Sequence, residues 1–148
     1  MKHESHAMPP APGDPPTIVY CSYCSARKRP DPDLLPAQAR YDSARLREVA
    51  RLAAADGARL LILSGRFGLL AAGVEIPWYD QRLSADEVPA MATLVAAQLR
   101  DERVAVLVWF TVASTVDPGV APYCEVMRRA AAAAGVSLSK RIVDDTGD

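Results

Sequence analysis

The sequence predicts an α/β domain, a three-layer sandwich whose mainly parallel sheet of about four strands is connected by crossover helices. Three observations carry that expectation. Four short runs of branched and aromatic residues alternate with three runs of helical apolar period, and no internal repeat interrupts the alternation. The run from Val104 to Phe110 is apolar throughout, as a central parallel strand covered on both faces should be. The chain has 148 residues, 50% of them hydrophobic, which suffices for one core and is short for two.

Residues 1 to 16 hold five of the twelve prolines and no periodic apolar pattern, so they read as a flexible tail before a single domain over residues 17 to 148. The first strand runs from Thr17 to about Cys21 and empties into a polar, proline-punctuated loop from Ser22 to Pro36. A helix follows, with Leu46, Val49, Ala50 and Ala53 on the buried face, Arg40, Arg47 and Arg51 on another, and Asp56-Gly57 as its stop. Tyr41, Asp42 and Ser43 fall in its first turn, with Asp42 as a cap. The second strand, Arg59 to Ser64, leads into a long irregular stretch that ends near Leu83, and loops of that length in compact domains are often functional.

The next helix starts near Ser84. Ser84 and Glu87 have capping-box spacing, but Pro89 would then delete a ladder hydrogen bond, so Asp86 reads as the better N-cap. Val88, Met91, Val95 and Leu99 form its stripe. After the strand Val104 to Phe110, the polar loop Thr111 to Gly119 precedes a helix from Pro122 to Ala134, with Tyr123, Val126, Met127 and Ala130 inward and Gly135 as terminator. Val136 to Val143 is a more polar strand suited to an edge.

Charge and composition exclude several classes. Lys plus Arg number 17 against 18 Asp plus Glu, and a net charge of −1 lacks the global pull of a nonspecific duplex binder. No apolar stretch approaches the roughly 20 residues of a membrane-spanning helix, and no apolar signal segment opens the chain, which implies a cytoplasmic protein with no membrane partner. Three cysteines argue against a disulfide framework.

In doubly wound sheets the ligand crevice lies beyond the carboxyl ends of the strands. Those ends carry Cys21 to Lys28, Ser64 to Arg82 and Thr111 to Asp117. Cys21 and Cys24 have C-x-x-C spacing, but the residues that follow are basic and proline-broken rather than helical, so no helix N-terminus lowers a thiol pKa. Zinc would need two more ligands, such as His3 and His6 in the tail, and buried free thiols are the plainer reading. Ser25, Arg27 and Lys28 supply a hydroxyl and two cations in the turn after the first strand, fit for an anion or a base edge, or simply a solvated turn.

Ser64, Gly65 and Gly68 follow the second strand directly, where glycine lets backbone approach a ligand or merely pack closely. Trp78, Tyr79, Asp80 and Arg82 gather two aromatics, a carboxylate and a cation in one loop. Aromatic faces in a crevice stack on bases, and a carboxylate beside them stabilises positive charge. The structural alternatives are an Asx turn at Asp80 and a core lid at Trp78. Tyr41 has a phenol that needs a partner if buried.

In order, Cys24-Ser25-x-x-Lys28, Pro36-Ala37 with Tyr41 and Ser43, Ile62 to Leu70, and Pro77-x-Tyr79-Asp80-x-x-Leu83 resemble the motifs of a family of small bacterial and phage domains similar to the peroxide-stress YaaA proteins. The likeness spans residues 17 to 110. It implies an α/β domain with these motifs at one site and a partner among nucleosides, nucleotides and nucleic-acid bases, with Cys24 as the motif cysteine and Lys28 as its paired cation.

Two readings follow. In the first, the protein is an N-glycosidase or base-exchanging transferase, with Asp80 as the carboxylate beside an oxocarbenium-like sugar and Lys28 or Arg82 stabilising the departing base or a phosphate. Tyr79 or Trp78 would stack, Cys24, Ser25, Tyr41, Ser64, Gly65 and Gly68 would line the site, and neither metal nor cofactor is required. In the second, the chain is a noncatalytic nucleic-acid or nucleotide binding module that uses Arg27, Lys28 and Arg29. A redox role for Cys21 and Cys24 would need a titratable dithiol.

Overall fold

The computed structural model describes residues 17–144, so the tail over residues 1 to 16, with His3 and His6, lies outside the described residues. Five strands form the main sheet: β1 (Ile18–Tyr23), β3 (Arg59–Ser64), β4 (Gly68–Ala71), β6 (Val106–Thr111) and β7 (Ser137–Ile142), in the order β4-β3-β1-β6-β7. β1 pairs in parallel with β3 and β6, β7 pairs in parallel with β6, and β4 alone is antiparallel. A second, two-stranded sheet joins β2 (Leu35–Pro36) to β5 (Glu75–Ile76). Four α-helices complete the described fold: α1 (Ala37–Arg40), α2 (Ala44–Asp56), α3 (Val88–Asp101) and α4 (Ala121–Ala134).

The sheet is one strand larger than the sequence suggests. Gly68 to Ala71 turns back along β3 through the tight segment Ser64 to Phe67, where Ser64 Oγ accepts from the Arg66 and Phe67 amides at 3.0 and 2.8 Å. Four residues after a turn carry too short a pattern to distinguish a strand from a loop. The edge strand β7 is exposed along its whole length, matching its polar sequence.

Side chains alternate along β1 between two apolar clusters, as the pleat requires. Val19, Cys21 and Tyr23 join the larger cluster, which takes Val95 and Leu99 from α3 and Val126, Met127 and Ala130 from α4. Tyr20 packs with the smaller one, around Val49 and Ala53 of α2 and Phe110 of β6. Gly57 and Gly135 adopt left-handed φ values of 66° and 72° and stop α2 and α4, as their positions predict.

Helix starts differ from expectation in three places. Ser43, rather than Asp42, caps α2 by accepting from the Leu46 amide at 3.0 Å, while exposed Asp42 pairs with Arg47. Ser84 and Glu87 do form a reciprocal cap, with the Ser84 amide donating to Glu87 Oε1 at 2.9 Å, because a 3₁₀ turn over Ala85–Glu87 places Pro89 in the first turn of α3, where no ladder bond is lost. Asp86 is therefore not the N-cap.

Arg40 is the third difference. It belongs to α1 rather than to the exposed face of the longer helix, and it is fully buried. Its guanidinium donates to the carbonyls of Arg29, Asp31, Asp33 and Ile76 at 2.5 to 3.3 Å. A buried cation is tolerated when most of its donors are met, and here three carbonyls of the proline-rich loop and that of Ile76 meet the two terminal nitrogens, while Nε is left without a partner among the described residues. Arg40 thereby fixes the loop that follows β1.

Candidate functional site

A cleft of about 260 Å³ opens beyond the carboxyl ends of β1 and β6. One wall is the end of β1 and its following turn: Tyr23, Cys24, Ser25, Ala26 and Lys28. Gln81 and Arg82 form a second wall, and Val112, Val116, Asp117 and Gly119 of the β6–α4 connection form a third. Arg45 of α2 and Tyr123 of α4 complete the lining.

The turn after β1 is held at both ends. The Cys24 amide donates to Leu63 O at 2.9 Å, and an isolated bridge between Lys28 and Tyr41 is closed by Arg29 N to Arg40 O and Asp42 N to Arg27 O. Ser25 Oγ donates within the turn to Arg27 O at 2.6 Å. Beneath the turn, buried Arg45 donates to Ser22 Oγ and Tyr23 O at 2.8 Å and to Cys24 O at 3.1 Å, and it stacks 3.6 Å over the Tyr23 ring. The guanidinium thus orients the strand end from beneath the lining.

A chain of hydroxyls lies behind this wall. Tyr41 Oη and Tyr79 Oη are 2.5 Å apart, and Tyr79 donates to Ser64 Oγ at 3.2 Å. The Lys28 ammonium sits 4.6 Å from the Tyr79 ring centroid and 5.8 Å from that of Tyr41, and both ring faces attract the cation. On the other side Tyr123 Oη accepts from Leu83 N at 3.1 Å and from Cys24 Sγ at 3.5 Å. Burial first, and the adjoining Cys24 second, push the phenols of Tyr41, Tyr79 and Tyr123 above the usual tyrosine range, so all three stay protonated at neutral pH. Burial pulls the Lys28 ammonium below the lysine range and nearby Arg82 adds to that, while Cys24 and Asp80 oppose it.

Four of the sequence-selected residues line the cleft: Cys24, Ser25, Lys28 and Arg82. Tyr41, Ser64 and Tyr79 form the buried hydroxyl chain behind it rather than its surface. Gly65 packs behind the second wall: a Cβ there would stand 2.9 Å from Gln81 O and 3.0 Å from both Leu83 N and Tyr123 Oη. Gly68, at φ 72°, faces Gln98 of α3, which bonds the Leu69 amide, so its role is packing and it does not reach the cleft. Trp78 is 53% exposed and also outside the lining. Asp80 is exposed and does not line the cleft, although its charge is felt by Lys28.

Two lining residues, Arg45 and Tyr123, escape sequence reasoning as site residues. Arg45 lies within an amphipathic helix whose other arginines face solvent, and only the carbonyls converging beneath β1 reveal its burial. Tyr123 reads as a core residue of its helix, whereas Asp117 falls in the strand-end segment that the sequence places at the crevice without being singled out there. The Asp-Pro-Gly sequence at 117 to 119 marks a turn, and Asp117 Oδ1 accepts from the Gly119 amide at 3.0 Å.

The cysteines separate. Cys21 is wholly buried in the core, its thiol donates to Ser22 O, and burial pushes that thiol well above the usual range. Cys24 faces the cleft. Cys124 receives a hydrogen bond from Trp109 Nε1 at 3.4 Å. All three are free, and among the described residues no cluster of three or more His, Cys, Asp or Glu could hold a metal. No described helix is long and apolar enough to cross a membrane.

No family model, curated protein or solved structure matches the chain.

Proposed function

We propose that the protein acts on the bond between a nucleobase and its sugar, as an N-glycosidase or base-exchanging transferase, with the cleft as its active site. The observation that carries this reading is the lining itself: Lys28 and Arg82 share the cleft with one lining carboxylate, Asp117, and the largely buried rings of Tyr23 and Tyr123 border it. A small concave site with cations and ring faces suits a planar base joined to a polar or anionic sugar. The volume accommodates a ligand of nucleoside size rather than an extended polymer. The α/β architecture, read as a three-layer sandwich, and the likeness of the Cys24-Ser25-x-x-Lys28 and Ser64-to-Leu70 motifs to YaaA-like domains agree with it.

In this reading the C1′–N bond breaks with its electron pair leaving on the base. Lys28 or Arg82 stabilises the departing base or a phosphate on the sugar, the base takes a proton from solvent, and water, losing a proton to solvent, or an incoming base takes the anomeric carbon. Asp117 takes the part that the sequence suggests for Asp80, a negative charge beside the oxocarbenium-like sugar. The test is incubation with a panel of nucleosides, nucleotides and modified DNA and RNA, with mass spectrometry for free base. Release that disappears in Lys28→Ala supports the reading, and a panel with no released base or exchanged product overturns it.

One observation favours a second reading, a noncatalytic binding module. Asp117 Oδ1 is engaged by the Gly119 amide and Asp80 stands outside the lining, so the cleft is richer in anchoring cations than in free carboxylate. Such a module would bind the same ligands without consuming them.

A further inference from the structure

We infer that the Lys28 and Arg82 side of the cleft is a phosphate subsite, and that the ligand is a phosphomonoester of nucleotide size rather than a bare nucleoside or a nucleic-acid strand. This rests on the proposed site but not on the reaction assigned to it.

Lys28 and Arg82 line the same cleft, and neither side chain has a hydrogen bond or ion pair to a described residue; exposed Arg27, Arg66, Arg103 and Arg141 also hold no carboxylate among the described residues, but none of these lines the cleft, where Lys28 and Arg82 converge. Burial is the main reason that Lys28 gives up its proton more readily than a free lysine, and Arg82 is near enough to add a smaller repulsion that the Cys24 and Asp80 charges oppose. An anion between Lys28 and Arg82 would relieve that repulsion and would be held by charge-assisted hydrogen bonds. Arg82 borders the turn that leads into α4: its Nη2 lies 3.5 Å from where a Cβ on Gly119 would be, beside the Asp117 carboxylate that already takes the Gly119 amide. Lys28 is held from behind by the Tyr41 and Tyr79 rings, so it presents an oriented donor rather than a freely swinging one.

The form of the phosphate follows from charge and shape. A terminal phosphate carries about −1.5 to −2 at pH 7, against −1 for a diester link, and so matches two cations better. The whole chain carries −1, so the cleft is a local positive site on a molecule that does not attract a polyanion from a distance.

The test is calorimetric titration of the full chain with inorganic phosphate, with the four ribonucleoside 5′-monophosphates and their parent nucleosides, and with a short single-stranded oligonucleotide lacking terminal phosphate. At least one monophosphate should bind about tenfold or more tightly than its nucleoside, inorganic phosphate should compete with it, and Lys28→Ala or Arg82→Ala should erase the difference while Lys28→Arg keeps most of it. Arg82 is exposed and Lys28 half-buried at the cleft, and unchanged thermal unfolding of the variants shows that the fold is intact. Equal affinity for nucleoside and monophosphate, or tighter binding of the oligonucleotide with steep loss in salt, overturns the subsite. Phosphate-dependent binding without base release would instead sink the reaction and leave the subsite standing.

Discussion

Replacing Gly65 by alanine tests the packing that shapes the cleft. A Cβ at this position would lie 2.9 Å from the Gln81 carbonyl oxygen and 3.0 Å from the Leu83 amide nitrogen, both backbone atoms, and 3.0 Å from Tyr123 Oη. None of the three is the loose end of a flexible side chain. The Tyr123 hydroxyl is itself fixed by the Leu83 amide at 3.1 Å, so relieving the clash also stretches that bond. Overpacking costs roughly 1 to 3 kcal/mol and a weakened hydrogen bond about 1 more, so the variant should lose about 2 to 4 kcal/mol, or roughly 4 to 16 °C in melting temperature for a domain this size. The same displacement moves Arg82 and Tyr123, and ligand affinity should fall with stability. Gly73 is the control, since its Cβ would meet nothing within 4 Å and its φ is not left-handed. Gly73→Ala should be neutral or stabilising by a few tenths of a kcal/mol. Thermal and urea unfolding of both proteins, with titration of a nucleoside monophosphate, gives the comparison. A Gly65→Ala protein that melts with Gly73→Ala and binds as wild type would refute the close approach.

Three further outcomes follow from the site. Tyr79→Phe should cost about 1 to 3 kcal/mol, because it strands the buried Tyr41 hydroxyl, whereas Tyr41→Phe leaves Tyr79 still donating to Ser64 and should cost less; urea denaturation ranks them. Asp117→Asn should cut base release about 100-fold with little change in melting, and Asp80→Asn should cut it far less, which reverses if the exposed loop carboxylate is the one that acts. Lys28 loses its proton below the usual lysine range, so monophosphate affinity, measured where the phosphate is already a dianion, should fall as pH rises toward that range. Lys28→Arg should hold its affinity through the same titration.

The fold is legible wherever a local pattern is dictated by the sheet. An apolar run between polar loops marks β6, a polar one marks β7 as an edge, and glycines 57 and 135 stop helices because only they take the left-handed turn cheaply. The site is legible in part for the same reason: Cys24, Ser25 and Lys28 follow β1 directly, and strand ends are where crevices form. What sequence periodicity hides is burial of charge. Arg40 reads as lying on the polar face with Arg47 and Arg51 because helical spacing sorts residues by polarity, and nothing in the sequence singles out Arg45, but both are buried and donate to carbonyls brought from elsewhere in the chain. The loop over residues 78 to 82 shows the converse, since its aromatic and acidic composition suggests a site, yet only Gln81 and Arg82 turn into the cleft, while Tyr79 turns into the core and Trp78 toward solvent.

The central claim is that ligand enters the cleft beyond β1 and β6. Amide chemical-shift mapping of the isotopically labelled protein during titration with a nucleoside 5′-monophosphate tests it most directly. The account predicts that the largest shifts fall on Ser25, Ala26, Lys28, Arg82, Asp117 and Gly119 and vanish in Lys28→Ala. Shifts concentrated on the exposed edge strand β7 or on the loop around Trp78, with the cleft amides unmoved, would contradict it.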